Sequence, residues 1–157
     1  MQLTDLLTPD RVAIERAPTG DYTKAQALTA LSRLLAAGTR LPPDAIERIL
    51  VEREQLQSTG IGEGVAIPHG ALAQLETQCA ALLIVPAGVE FQAIDGDAVT
   101  LLFAVIGPKR ATGEHLKTLA RVSRLLRNKG FRERLIAAPN ASTAYDLIAT
   151  EEGGDKR

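Results

Sequence analysis

The amino-acid sequence predicts an α/β fold: a single-domain sandwich in which a mixed central β-sheet is flanked by helices on both faces. Helical patterns come first along the chain, apolar strand-like runs follow, and further helical patterns come last. The strand-like runs lie close together in sequence, and 157 residues make about one domain. Helices on either side of a block of strands are typical of this architecture. We expect the domain to cover residues 1–150 and a flexible polar tail to cover 151–157.

Two helices are expected before the main strands. Thr23 and Gln26 have the spacing of a capping box, and Gly38 marks the end of the first helix. Pro42 and Pro43 open the second helix, since proline is tolerated in a first turn. The expected ranges in this part of the chain are a helical turn at 3–7, an edge strand at 12–14, and helices at 21–37 and 42–56.

Apolar runs predict the strands of the sheet. Residues 79–85 form a continuous apolar run, and residues 99–106 are apolar almost throughout, as expected for a central strand covered on both faces. A shorter strand is expected at 91–94, closed by an Asp95-Gly96 turn. After the strands we expect helices at 112–127, 131–137 and 142–150, with a break at 128–130.

The composition excludes several classes of function. Basic and acidic residues nearly balance, at 18 and 19, and aromatic residues make up only 3% of the chain. Without a basic stripe or stacking aromatics, we expect no nucleic-acid binding. One cysteine, Cys79, and two histidines leave too few ligands for a zinc site, so no metal is expected. We also expect no signal peptide, no membrane insertion and a cytoplasmic location.

The glycine-rich stretch 58–70 is the centre of the functional prediction. It contains four glycines, and its apolar run 65–67 predicts a short strand. Pro68 stiffens the chain directly before His69. We therefore expect His69 on a rigid, exposed turn, which suits a nucleophile or a metal ligand. A loop histidine without a function is the alternative.

Arg53 and His115 are polar residues on otherwise apolar helix stripes. Arg53 falls on the core-facing stripe of the second helix, so it either extends out of the helix end or faces an anion. A cation in the last turn also suits the helix dipole. His115 lies in the first turn of a later helix, where the positive helix terminus favours the neutral ring. The neighbouring Glu114 favours the protonated ring, and a buried histidine with internal partners is the alternative.

Phosphoryl transfer is the chemistry that suits these residues. A neutral imidazole is a nucleophile toward phosphorus, and the transfer needs mainly positioning and charge stabilisation. Arg53 and His115 are suited to stabilising phosphoryl oxygens beside His69, and N–H groups of the glycine-rich loop are expected to add an anion-binding nest. No nucleotide-binding pattern is present, so we expect a phosphorylated protein as donor. A serine hydrolase built on Ser58 or Ser123 is weaker, since no nucleophile-elbow pattern accompanies either.

Four segments together resemble one known family. The stretch Ser58-Thr59-Gly60-Ile61-Gly62, followed by Ala66-Ile67-Pro68-His69-Gly70, resembles the active-histidine signature of enzyme IIA domains. These domains belong to the bacterial phosphoenolpyruvate phosphotransferase system, in the fructose/mannitol/nitrogen class. Glu52-Arg53-Glu54, the strand-like segments 91–95 and 99–104, and His115-Leu116 are similar to further parts of that family. The resemblance covers nearly the whole chain and is strongest to the stand-alone nitrogen-regulatory enzyme IIA.

The resemblance implies a phosphocarrier-regulator. It implies phosphorylation of His69 by an HPr-like phosphocarrier protein, with Arg53 and His115 around the phosphoryl group and with Ser58 and Thr59 supporting it. It implies no cofactor, and it implies regulatory partners such as potassium transporters or sensor kinases, whose binding follows the phosphorylation state. The alternative is a sugar-transport enzyme IIA that passes phosphate to a fructose/mannitol-type IIB component. A binding module with an inactive site is the third hypothesis.

Overall fold

Residues 2–16 and 22–155, which the computed structural model describes, fold around one mixed β-sheet. Its strands are β1 (Val12–Ile14), β2 (Gly60–Gly62), β3 (Val65–Ala66), β4 (His69–Leu72), β5 (Cys79–Val89) and β6 (Val99–Pro108). The helices are α1 (Lys24–Ala37), α2 (Pro43–Leu56), α3 (Thr112–Leu125), α4 (Lys129–Ile136) and α5 (Ala141–Asp155). Two short 3₁₀ turns, Leu3–Asp5 and Pro9–Arg11, precede β1. The predicted α/β class is confirmed.

Strand β6 is the centre of the sheet. It pairs antiparallel with β5 on one side, and it pairs in parallel with β3 and then β4 on the other. Strand β1 lies parallel to β5, and β2 pairs antiparallel with β3. The sheet is therefore mixed, as predicted. The register places His69 opposite Val105, which ties the histidine to a strand that is almost entirely buried.

Helices cover both faces of the sheet, as predicted. Alternate residues of β6 point to opposite faces, because side chains alternate along a strand. Leu101 and Phe103 belong to the core that α3, α4 and α5 cover, whereas Leu102 and Ala104 belong to the core under α1 and α2. The aliphatic composition thus fills two cores, one on each face. Among the described residues, no helix combines the length and the apolar character that crossing a bilayer requires.

The first two helices begin and end close to the predicted positions. Thr23 and Gln26 form the expected capping box: the Thr23 hydroxyl accepts the Gln26 N–H at 3.1 Å, and the Gln26 side chain accepts the Thr23 N–H at 2.8 Å. Helix α1 begins after this cap, and the predicted start at Asp21 lies outside the described residues. Helix α2 follows Pro42 and carries Arg53 in its last turn.

Strand β5 is longer than predicted. It continues beyond Val85 to Val89 and includes Pro86. The pairing register with β6 shifts between Ile84 and Val89. Proline lacks an N–H donor, and it is tolerated where a ladder is irregular in this way.

The strand predicted at 91–94 is wrong, because these residues form a loop. Gln92 has a φ of 56°, in the left-handed region, which interrupts an extended chain. The predicted turn is present, since the Gly96 N–H donates to the Ala93 carbonyl at 2.9 Å. Phe91 is nevertheless buried, so its apolar character reflects a loop that packs on the core.

The break predicted at 128–130 has the predicted length but lies two residues earlier, at 126–128. Asn128 is the N-cap of α4, and its side chain accepts the Phe131 N–H at 2.9 Å. Asparagine favours this position because its short side chain satisfies a free donor of the first turn. Helix α3 ends at Leu125 and α4 begins at Lys129, so both lie slightly before their predicted positions.

The last helix was expected to end at residue 150, and this boundary is wrong. Helix α5 continues through Asp155, because Glu152 holds its final turns against the start of the chain. The Glu152 carboxylate is buried and accepts the N–H groups of Leu3 and Thr4 at 2.7 and 3.1 Å. It also pairs with Arg121 at 3.1 Å. Residues 156 and 157, the rest of the predicted tail, lie outside the described part of the chain.

Candidate functional site

His69 is the first residue of β4 and is half-buried, so the prediction of an exposed turn is wrong. The stiff Ile67-Pro68 segment leads into it, as expected, and Pro68 accepts the Val105 N–H of β6 at 3.0 Å. The Nδ1 atom of His69 lies 2.7 Å from the Ile67 carbonyl oxygen. A carbonyl only accepts hydrogen bonds, so this contact requires a proton on Nδ1.

Arg53 faces the other nitrogen of the same ring. Its Nε atom lies 3.2 Å from Nε2 of His69, and its Nη1 atom donates to the Gln57 carbonyl at 2.8 Å. Since arginine only donates, Nε2 must be the acceptor and must carry a free lone pair. Arg53 thus extends to the end of its helix, which is one of the two alternatives that the sequence leaves open, and the anion-binding alternative stays a prediction.

His115 lies beside His69, as the sequence predicts. The two ring centroids are 5.7 Å apart and the rings are tilted by 52°. The Nδ1 atom of His115 is buried and has no hydrogen-bond partner among the described residues. A Cβ atom on Gly107 would lie 3.3 Å from this Nδ1, so the glycine lets the ring sit close to β6.

The surroundings of both imidazoles favour the neutral ring. Burial lowers the pKa of His69, and the Arg53 guanidinium lowers it further, against the opposing effects of the Ile67 carbonyl and Glu54. Burial also lowers the pKa of His115, and the nearby His69 adds to the effect. The expectation that Glu114 favours a protonated His115 is therefore wrong, because burial and His69 lower the pKa and Glu114 does not contribute to the shift.

A pocket of about 270 Å³ opens over this group, and its lining includes Arg53, Ser58, Thr59, His69 and Leu119. The Ser58 hydroxyl donates to the Phe91 carbonyl at 2.7 Å. The Thr59 hydroxyl donates to the Glu54 carboxylate. Both predicted supporting residues thus lie at the site, but their hydroxyl protons already have acceptors within the protein. A serine-hydrolase role for Ser58 has no support, because its hydroxyl faces a carbonyl instead of a base.

Three N–H groups of the glycine-rich loop are not free to join the predicted anion-binding nest, because they have acceptors within the protein. The Thr59 N–H donates to the Glu54 carboxylate at 3.1 Å, and the Gly60 N–H lies 3.1 Å from the Ser58 hydroxyl oxygen. The Glu63 N–H donates to Asp95 at 2.9 Å. These three donors hold the loop in shape and are not free for a ligand.

Sequence reasoning missed Glu54 and Lys24. Glu54 is only 8% exposed, although it follows Arg53 on a helix that ends in solvent-exposed residues. Its carboxylate pairs with Lys24 of α1 at 2.9 Å. A helix-end glutamate a few residues before Ser-Thr was the available signal, but its lysine partner lies 30 positions earlier and no spacing rule connects the two.

The remaining polar groups do not form a competing centre in the described part of the chain. No group of three or more His, Cys, Asp or Glu side chains there is arranged to hold a metal ion. Cys79 is buried and burial raises the pKa of its thiol, so it behaves as a small apolar residue, as predicted. The chemistry that the arrangement supports is attack by the Nε2 lone pair of His69 on a group whose negative charge Arg53 stabilises.

Comparison with known proteins identifies the family. Residues 7–151 match the family described as "Phosphoenolpyruvate-dependent sugar phosphotransferase system, EIIA 2". A nitrogen regulatory protein of Bradyrhizobium diazoefficiens is 35% identical over 149 residues, covering 95% of each chain. One from Pseudomonas aeruginosa is 36% identical over 157 residues, covering 98% of this chain and 99% of that protein.

Comparison with solved structures identifies the same family. The crystal structure of the nitrogen regulatory protein IIA-Ntr from Neisseria meningitidis superposes with a TM-score of 0.84 at 30% identity. The match covers 93% of this chain and 98% of that one. Because the family model, the sequence relatives and the superposed structure agree, the chain belongs to the EIIA 2 family of the phosphoenolpyruvate-dependent phosphotransferase system.

Proposed function

We propose that this protein accepts a phosphoryl group on Nε2 of His69 from an HPr-like phosphoprotein, and that its phosphorylation state changes its binding to regulatory partners. One observation carries the proposal: in the half-buried His69, Nε2 has a free lone pair and faces the guanidinium of Arg53 across 3.2 Å. An imidazole in this state is a ready nucleophile, and the neighbouring cation is placed where phosphoryl charge develops.

The transfer step is an exchange of one phosphorus bond for another. The Nε2 lone pair of His69 attacks phosphorus, and the bond between phosphorus and the donor's nitrogen breaks in line with it. Arg53 is suited to stabilise the three phosphoryl oxygens, and the His115 ring lies 5.7 Å from the His69 ring between centroids. The proton of Nδ1 stays on that nitrogen, hydrogen-bonded to the Ile67 carbonyl, so the transfer requires no separate base.

Exposed apolar side chains around the site support a protein donor. Leu56 at the end of α2 is 83% exposed, and Leu116, directly after His115, is 61% exposed. Ile61 is 48% exposed and lines the His69 pocket. Large apolar side chains exposed around one pocket are typical of a surface for another protein. A docked phosphoprotein would cover them while it brings its phosphoryl group to His69.

A regulatory role follows from the charge that phosphorylation adds. A phosphoryl group at neutral pH adds about −1.5 to −2 charges to a surface, here at a pocket that the exposed Ile61 lines. The relatives named nitrogen regulatory proteins support regulation as the outcome. We propose partners of the kind expected from the sequence, potassium transporters or sensor kinases, whose binding depends on this charge.

Sugar transport is the second candidate, because the family's own description names a sugar phosphotransferase system. In that role the phosphoryl group of His69 would move on to a fructose/mannitol-type IIB component. Incubating the phosphorylated protein with such IIB proteins separates the two roles. Rapid loss of phosphate to IIB supports transport, and stable phosphoprotein supports regulation.

The test of the proposal is phosphorylation in a defined mixture of phosphoenolpyruvate, enzyme I and an HPr-type carrier. We expect a phosphate that is labile in acid and stable in base, and we expect His69→Ala to abolish it. His115→Asn is the matched control, because His115 is the only other histidine and the label should persist on His69. Labelling of His69→Ala would refute the assignment. A wild-type protein that never labels, yet binds its partners, would be a binding module with an inactive site.

A further inference from the structure

The Glu54 carboxylate forms a clamp on the loop before β2. It accepts the Thr59 N–H with both oxygens, at 3.1 and 3.2 Å, and it also accepts the Thr59 hydroxyl. Its side chain is only 4% exposed, and Lys24 balances its charge at 2.9 Å. A buried carboxylate is tolerated only when paired and fully hydrogen-bonded, and here three donors meet it.

Lys24 connects this clamp to a second loop. Its ammonium donates to the Phe91 carbonyl at 3.3 Å and lies 4.5 Å from the centre of the Phe91 ring. The Ser58 hydroxyl donates to the same carbonyl at 2.7 Å. Lys24 and Ser58 therefore join the Glu54–Thr59 contact and the Phe91 carbonyl in one hydrogen-bond network.

A continuous path of hydrogen bonds leads from the clamp to His69. The Thr59 carbonyl accepts the Ile67 N–H at 3.0 Å. The Ile67 carbonyl accepts the Nδ1 proton of His69 at 2.7 Å. The position of the Ile67 backbone, whose carbonyl decides which ring nitrogen is protonated, is thus linked to a residue that Glu54 holds.

We propose that Glu54 is a positioning residue that keeps His69 in its Nδ1-protonated tautomer, acting through Thr59 and the Ile67 peptide. This leaves the lone pair on Nε2, next to Arg53, for the incoming phosphoryl group. The consequence for transfer rests on the proposed function, but the effect on the tautomer does not. Glu54 does not touch the phosphoryl group in this account, since its carboxylate is directed toward Thr59 and Lys24.

The negative charge of Glu54 acts on His69 in a second way. It favours the protonated ring, in opposition to burial and to Arg53 on the same helix, while His115 of α3 faces the ring at 5.7 Å between centroids. Loss of this charge is therefore expected to lower the pKa of His69. Loosening the bond between Nδ1 and the Ile67 carbonyl lowers it as well, so both effects have the same sign.

The test compares Glu54→Gln with Glu52→Gln, a matched change of an exposed glutamate on the same helix. The readout is the pair of ¹⁵N chemical shifts of the His69 ring in the unphosphorylated protein at a pH above its titration. In the wild type and in Glu52→Gln we expect one protonated nitrogen, Nδ1, and one bare nitrogen, Nε2. In Glu54→Gln the two shifts should move toward each other, and the titration midpoint should fall.

In Glu54→Gln we expect the maximal rate of phosphorylation to fall roughly tenfold to hundredfold. A loss of this size is expected when a reacting group, here the His69 ring, is slightly misplaced. The KM for the HPr-type donor should change little, since Glu54 is buried away from the docking surface. Thr59→Val removes one donor of the clamp and leaves the Lys24 pair intact, and Thr59→Ser restores it. We expect Thr59→Val to shift the ¹⁵N signals in the same direction, and Thr59→Ser to lie closer to the wild type.

Unchanged ¹⁵N shifts in both Glu54→Gln and Thr59→Val would overturn the inference, even if the melting temperature fell, because Glu54 would then only stabilise the loop. If Glu54→Gln does not fold, the Thr59 pair decides the question by itself. If the wild type is never phosphorylated, the proposed function fails, while the ¹⁵N shifts still show whether Glu54 holds the tautomer.

Discussion

Replacing Arg53 with alanine tests the electrostatic account of the site. Arg53 places a charged donor 3.2 Å from the nitrogen that attacks phosphorus. Removal of one preorganised donor from a developing negative charge typically slows catalysis by about 10²–10³-fold, or about 2.7–4 kcal/mol. The same change removes the exposed bond to the Gln57 carbonyl, which contributes at most about 1 kcal/mol to stability. A loss of this size lowers the melting temperature of a 150-residue domain by only about 2–4 °C.

The assay is the initial rate of phosphorylation from an HPr-type donor, with thermal unfolding measured on the same samples. Arg48→Ala is the matched control, because Arg48 is exposed on the same helix. Arg53→Lys keeps the charge but loses the planar fork, so we expect a rate between those of the wild type and Arg53→Ala. A wild-type rate in Arg53→Ala would refute the electrostatic account. A large loss of stability with a proportional loss of rate would show that the arginine is structural.

Two further predictions follow from the same geometry. Because the pKa of His69 is lowered in the folded protein, the unfolded chain binds more protons below about pH 6.5. Urea denaturation should therefore show an unfolding free energy that is constant above this pH and falls as the pH drops from there toward the folded pKa. Gly70→Ala would place a Cβ atom 2.3 Å from Cγ2 of Ile49, so we expect a loss of about 1–3 kcal/mol in the same measurement.

Each of these predictions has a matched control. His69→Asn removes the titrating ring and should make the acid dependence shallower, whereas an unchanged dependence would assign it to other groups. Ile49→Ala removes the atom that Gly70→Ala would meet, so the double variant should recover part of the lost stability. Additive losses in the double variant would contradict the proposed clash.

Much of the site was accessible from the sequence because single residues departed from local patterns. Arg53 interrupts an apolar helix stripe, His115 lies on a buried helix face, and His69 follows a stiff Ile-Pro segment. Each departure is a local property, and the structure places all three side chains together. The fold class followed for a similar reason, since strand and helix periodicity are also local.

The features that were missed depend on contacts between distant parts of the chain. The half-buried position of His69 follows from the pairing of β4 with β6, which no periodicity over 69–72 indicates. The clamp at Glu54 requires Lys24, 30 positions earlier in the sequence. The loop at 91–94 has the composition of a strand, and only the left-handed backbone at Gln92 distinguishes it.

The carboxylate of Glu152 makes the opening turn and the closing helix a single structural unit. A shortened protein that stops at residue 150 would lose more than a polar extension, because the amides of Leu3 and Thr4 and the guanidinium of Arg121 would lose their shared acceptor. The damage from a cut near one terminus would therefore appear first at the other, as faster amide exchange in residues 3 and 4.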